Sequence, residues 1–214
     1  SKKRGKWSMK VSDKVPPEIM VDGQCESVFA EESQNILLDR LAYTHDNIKM
    51  EDVTSPKQFS SNCWFNTMFM VFFVSNKGRK FFKFFRQLMI EGVTADGHMP
   101  PQKIRNALAY FNLAIEASMT PGVNILDTFN TNHIIRDIYK NIPRYQRVKN
   151  IKKPGQAGNP LSYYKSLINY LTRGSSGINM LSLYFDDEDD LIDKTKTIEG
   201  TVKQIIGERS YSDV

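Results

Sequence analysis

Eight of the chain's thirteen phenylalanines fall between Phe65 and Phe85, and this concentration constrains the fold more than any other feature. Across 63–74, "CWFNTMFMVFFV", apolar side chains point in every direction of a helical projection, which predicts a helix buried all round. "SNKG" then ends it, with Gly78 expected as a left-handed C-cap. The next stretch, "RKFFKFFRQLMIEG", has helical spacing and one basic edge made of Arg79, Lys80, Lys83 and Arg86, and Gly92 closes it. A helix so aromatic needs other elements to cover it. The spacing of apolar residues in "ESQNILLDRLAY", "PQKIRNALAYFNLAIEAS", "TNHIIRDIYKNI" and "LSYYKSLINYLT" predicts four more helices, the third capped by Thr131 or Asn132. "INMLSLYF", 178–185, is the best strand by apolar density. The expected fold class is therefore α+β and mainly helical, with a buried central helix and a small sheet.

Composition places this core in context. The 214 residues are 40% hydrophobic and 25% charged, enough for a sizeable core, and a net charge of +5 with a pI near 9.1 is too moderate for a dedicated nucleic-acid binder. Part of the basicity lies in "SKKRGKWSMK", and Pro16 and Pro17 deny helix just after it. Residues 1–19 thus read as an extended basic, proline-containing arm, and 20–214 as a single globular domain. With only Cys25 and Cys63, and no C-x-x-C, neither a disulfide framework nor a zinc site is indicated, and a reducing, intracellular setting fits, cytoplasmic or nuclear. No apolar run is long enough for a bilayer span and the charged N-terminus lacks a signal-peptide core. The acidic run "DDEDD", 186–190, lacks the ligand spacing of a calcium loop, so no metal or cofactor is expected.

Cys63 stands where chemistry and packing meet. A thiol attacks as thiolate, which is favoured at a helix N-terminus, where unpaired backbone N–H groups and the helix dipole stabilise negative charge. Ser60, Ser61 and Asn62 form a polar approach to it, and Gln58, five residues upstream, is placed to fold back as an oxyanion donor. The competing reading makes Cys63 simply a small residue entering a buried helix. Cys25, in "DGQCES", has no apolar helix behind it and reads as a bystander.

The segment "QFSSNCWFNT" resembles the nucleophile box of papain-like cysteine proteases. Cys63-Trp64 is similar to the pair in papain and calpains, and Cys63, Trp64, Phe65, Asn66, Thr67 is closer to the box of the ubiquitin-specific proteases. In that family the oxyanion-stabilising residue lies five positions before the cysteine, where Gln58 stands here. The resemblance implies a papain-like lobe in which Cys63 attacks an acyl carbonyl, Gln58 and the Cys63 amide hold the oxyanion, and a histidine acts as base and then acid. Of His45, His98 and His133, none has the family's Gly-His-Tyr context, and its glutamine-aspartate box is absent. His133, with Asp137 one helical turn on, is the histidine selected, giving Cys63, His133, Gln58 and Asp137 as the catalytic set. The departures leave two explanations open. The fold is an incomplete protease completed by another chain, or the architecture has lost its chemistry.

The leading expectation is thus a thiol hydrolase cleaving peptide or isopeptide bonds of a ubiquitin-like substrate, and "FFVSNKGRKFFKFFRQLMIEG" suggests a divergent, viral branch. The alternative is a noncatalytic structural component, such as a capsid protein, whose arm binds neighbouring subunits in the virion. Single-strand nucleic-acid binding through the arm and Arg147, Lys149, Lys152 and Lys153 ranks third. The interleaved phenylalanines and cations of 79–86 have the ingredients of a base-stacking site, but helical spacing favours core packing.

Overall fold

The chain opens its folded part with a turn that dictates its geometry. In a computed structural model, which describes residues 7–8, 17–43, 48–121, 130–144 and 160–173, Asp22 and Gly23 both take positive φ, 48° and 89°. Two such residues in succession form the tight turn whose twist suits a β-hairpin. It joins β2 (Glu18–Val21) to β3 (Gln24–Ser27) in antiparallel register, Val21 opposite Gln24 and Glu18 opposite Ser27. On the other edge of β2, β1 (Trp7–Ser8) pairs antiparallel, Trp7 opposite Val21, in a sheet of order β1-β2-β3. Strand alternation sends Ile19 and Val21 inward, both buried. The small sheet is thus built by residues at the N-terminal end of the chain, Ile19 of the expected arm among them. The strand expected at 178–185, the acidic run 186–190 and the basic residues Arg147, Lys149, Lys152 and Lys153 lie outside the described residues, as do Lys2, Lys3, Arg4, Lys6 and Lys10 of the arm. All described residues fall within one unit, Ser1–Ile178.

Helix α1 (Glu31–Tyr43) starts with Glu31 and Glu32 near its positive end and carries Arg40 in its last turn, as the helix dipole favours. Ser33, Leu37 and Leu41, four apart, face the core, where Ile19, Val21, Val28, Ile90 and Leu113 meet them. Gln34 donates from Nε2 to the carbonyls of Ile90 and Glu91 at 3.0 and 3.3 Å, covering the exposed end of α4 (Lys83–Glu91). Gly92, at φ 66°, completes that end as a left-handed C-cap.

The helix expected across 63–74 forms, but differs from expectation in two ways. It is α-helical as α2 (Cys63–Phe69) and then widens into a π-helical turn, Met70–Val74. It is also not buried all round. Phe65, Phe69 and Phe73 are fully enclosed, whereas Cys63, Thr67 and Val71, four apart, form an exposed stripe. The helix enclosed on nearly every side is α5 (Gln102–Ser118), where Ile104, Leu108, Phe111 and Ile115 are each 0% exposed. It packs against α4, the π-helical turn and α6 (Asn132–Asn141), while α7 (Pro160–Thr172) covers α2 and α4.

Gly78 is not a C-cap either. It lies in the first turn of α3 (Asn76–Phe81), where its N–H donates to the capping Ser75 hydroxyl at 3.1 Å. A Cβ there would sit 2.1 Å from the Val71 carbonyl oxygen, so the close approach of α3 to the π-helical turn is what requires glycine. The rings of Phe65, Phe73, Phe111 and Tyr164 form the centre of the core, Phe65 stacked on Tyr164 at 5.3 Å and Phe73 edge-on to Phe111 at 5.1 Å. Buried Tyr163 and Tyr164 donate to the carbonyls of Ile135 and Phe65 at 3.1 and 3.2 Å. Burial first, then the charge of Asp137 for Tyr163 and the neighbouring Tyr163 for Tyr164, pushes both phenols up.

The basic edge expected on 79–86 is split by the fold. Arg79 and Arg86 turn inward, 4% and 0% exposed. Arg86 donates from Nε to Asn112 Oδ1 at 3.1 Å and from Nη2 to Glu116, whose other carboxylate oxygen meets Arg40 Nε at 2.9 Å. Arg79 donates to the Val74 carbonyl at 2.9 Å, and burial, reinforced by the charge of Arg86, pushes its guanidinium below the usual range. Among the described residues no helix is long and apolar enough to cross a membrane.

Candidate active site at the head of the second helix

Cys63 is the first residue of α2, and its side chain is exposed and unbridged. The chain reaches it through a turn that ordinary residues avoid. Ser60 and Ser61 both take positive φ, 41° and 62°, at a cost of roughly 1–2 kcal/mol each for non-glycine residues. Such a conformation persists only where its surroundings fix it. Asn62, 0% exposed, does so from the side: its Oδ1 accepts the Phe59 N–H at 2.9 Å and its Nδ2 donates to Thr131 Oγ1 at 2.8 Å. The Thr131 hydroxyl then donates to Asn66 Oδ1 at 2.7 Å, and Asn66 Nδ2 donates to the carbonyls of Pro56 and Lys57, both at 3.3 Å. Three buried side chains therefore lock the 56–62 loop, the first turn of α2 and the start of α6 to one another.

Thr131 consequently does not cap α6 with its side chain. That task passes to Asn130, whose Oδ1 accepts the Asn132 N–H at 3.0 Å, and Asn132 in turn donates from Nδ2 to the Phe59 carbonyl at 2.9 Å. Gln58 sits between two anchored neighbours, Lys57 through its carbonyl and Phe59 through both backbone groups, with its own side chain exposed. The backbone that carries Gln58 is thus fixed, while no hydrogen bond among the described residues orients its exposed amide.

His133 lies two residues beyond Thr131, so it and Cys63 flank the same junction. Among the described residues no hydrogen bond joins them. The His133 side chain is exposed, and its Nδ1 lies 2.8 Å from Arg136 Nη2. A guanidinium can only donate, so Nδ1 is the acceptor in this contact. Asp137 is turned to Arg136 Nε at 3.2 Å, placing a cation where the sequence had suggested an orienting carboxylate for His133.

His98 does have a carboxylate partner. Its Nδ1 is 3.0 Å from Asp96 Oδ2, in a loop tied to α7 by the Ala95 N–H donating to the Leu171 carbonyl at 2.8 Å. The Thr94 hydroxyl chiefly, helped by the His98 N–H and the charges of Arg173 and His98 and opposed by desolvation, lowers the Asp96 carboxyl to about 2. His98 itself is 67% exposed at the side chain. His45 lies outside the described residues. Cys25 is exposed on β3, and among the described residues no group of three or more His, Cys, Asp or Glu is arranged to hold a metal ion.

In the sequence, Asn62, Asn66 and Thr131 read only as loop, box and cap. The signal for their joint role was weak: three small polar residues, two of them i and i+4 on an otherwise apolar helix. The chain was compared with protein-family models, with curated proteins and with solved structures, and nothing matched in any of the three.

Proposed function

We propose that the chain is a thiol hydrolase of papain-like type that cleaves peptide or isopeptide bonds of a ubiquitin-like substrate, with Cys63 as nucleophile. The observation that carries this reading is the exposed Cys63 thiol at the head of a helix whose Phe65 and Phe69 are set in the core, approached through two left-handed serines and braced by the buried Asn62–Thr131–Asn66 bridge. A preorganised nucleophile requires such a rigid mount, and a small residue merely entering a helix does not.

In the reaction the Cys63 thiolate attacks the carbonyl carbon, and the oxyanion is held by the Cys63 backbone N–H and the Gln58 amide. The C–N bond then breaks, the amine leaves with a proton from the imidazolium of His133, and a thioester remains. The neutral imidazole then deprotonates a water that attacks the thioester carbonyl, the C–S bond breaks to release the carboxylic acid, and the imidazolium proton returns to sulfur. His133 takes the Cys63 thiol proton at the outset, and for Nδ1 to accept it Arg136 must turn away, with Asp137 acting one step removed by holding Arg136.

The test is the pH dependence of Cys63 alkylation by iodoacetamide, read by intact mass in a Cys25→Ser background, together with capture by a ubiquitin bearing a C-terminal electrophile. A thiolate formed well below the free value of about 8.5, shifted upward by His133→Ala and unaffected by His98→Ala, is the expected result. A thiol of ordinary reactivity that ignores the probe would sink the proposal and move the chain to the noncatalytic, assembly-forming reading.

A further inference from the structure

The aromatic-basic run at 76–85 has two sides. Phe82 and Phe85 are in the core, 5% and 1% exposed, while Phe81 and Phe84 stand outside at 64% and 49%. The helical ladder carries across the junction of α3 and α4, with the Phe82 N–H donating to the Gly78 carbonyl at 2.8 Å and the Arg86 N–H to the Phe82 carbonyl at 3.0 Å. Lys77, Lys80, Phe81 and Phe84, spaced i, i+3, i+4, i+7, therefore share one face, and all four are exposed. Lys83 stands beside them, half-buried. From 53 to 90 the chain carries no acidic residue, and among the described residues none of these three lysines is in an ion pair.

We infer that this face binds single-stranded nucleic acid. Two phenyl rings one turn apart offer successive stacking platforms, and unneutralised lysines beside them suit the phosphates between the bases. An acidic protein surface would satisfy the charge equally, but lysine is depleted from protein–protein interfaces, whereas aromatics interleaved with cations are the usual composition of single-strand sites. The inference is independent of Cys63.

The experiment is fluorescence anisotropy of a labelled oligothymidylate of about 20 nucleotides with the full chain, titrated with salt. Three lysine–phosphate contacts predict that log K falls with log salt with a slope of about −2 from this face, and each of Phe81→Ala and Phe84→Ala should weaken binding by about 5- to 150-fold. Both substitutions are at exposed positions, so circular dichroism and Cys63 alkylation should be unchanged. Binding that persists at full strength in the Phe81→Ala/Phe84→Ala double variant would place the contact elsewhere, on the basic arm for instance, and overturn the inference. Equal displacement by polyglutamate would also overturn it, in favour of an acidic protein partner, and so would an absence of binding at low salt.

Discussion

Thr131→Val tests whether the head of α2 is held as described. Valine matches threonine in shape, so packing is nearly preserved and the change removes one hydroxyl. In the folded chain that hydroxyl accepts from Asn62 Nδ2 at 2.8 Å and donates to Asn66 Oδ1 at 2.7 Å, with Thr131 and Asn62 both fully buried. Without it, Asn62 Nδ2 retains only the Lys57 carbonyl at 3.5 Å, and Asn66 Oδ1 loses the bond described for it. A buried polar group left without a partner costs about 1–3 kcal/mol, and only Asn66 Oδ1 is left so, so the variant should lose about 1–3 kcal/mol. With a urea m-value of about 2 kcal/mol/M, the unfolding midpoint should fall by about 0.5–1.5 M. Thr67→Val is the control on the same helix. Its hydroxyl bonds only the Cys63 carbonyl at 2.9 Å on the exposed side, and its loss should be within about 0.5 kcal/mol. A second reading, Cys63 alkylation at neutral pH, should slow in Thr131→Val once the serine turn relaxes. A midpoint shift of less than about 0.3 M, or equal shifts in the two variants, would refute the claim that the bridge holds the loop.

Two further substitutions probe the core by the same denaturation assay. Glu116→Ala leaves the fully buried Arg86 with Asn112 as its remaining partner, a loss of about 3–5 kcal/mol, whereas Arg86→Met combined with Glu116→Leu should recover most of it because no fully buried charge is left unpaired, the partly exposed Arg40 keeping the Thr120 hydroxyl; a double variant as unstable as the single one would contradict this account. Gly78→Ala would gain about 1 kcal/mol at an ordinary interior helical site, but here the new Cβ would meet the Val71 and Phe72 carbonyl oxygens at 2.1 and 2.5 Å, so a net loss of about 1–3 kcal/mol is expected, and stabilisation would show that α3 does not need that approach.

The helices were legible because their apolar spacing is strong: the expected 32–43 and 101–118 segments differ from α1 and α5 by at most one residue at either end. The sheet was not, although its signal was present. Asp22-Gly23 is a hairpin turn, but the strands beside it have four residues each and β3 is polar, so the pattern did not stand out against the denser 178–185 segment. Periodicity also misjudged which helix is central. The side chains of 63–74 are apolar enough for full burial, and no count of apolar residues shows that Cys63, Thr67 and Val71 fall on one line left open to solvent. Conversely, Arg79 and Arg86 looked like a surface edge, since charge argues for exposure unless a partner is known, and Arg86's partner Glu116 lies thirty residues away. The candidate site shows the same division. Local sequence singles out Cys63 and Gln58 as candidates, because a resemblance to a nucleophile box is a short-range pattern. What positions it is long-range: Asn62 reaches Thr131 across sixty-nine residues and Asn132 reaches Phe59 across seventy-three. Those contacts fix the start of α6, which carries His133, to the 56–62 loop, and Arg136 lies between the imidazole and the carboxylate, so Nδ1 is open to a proton only when Arg136 turns away. The Arg136→Ala variant isolates that step, since it frees His133 Nδ1 without touching the bridge beneath it.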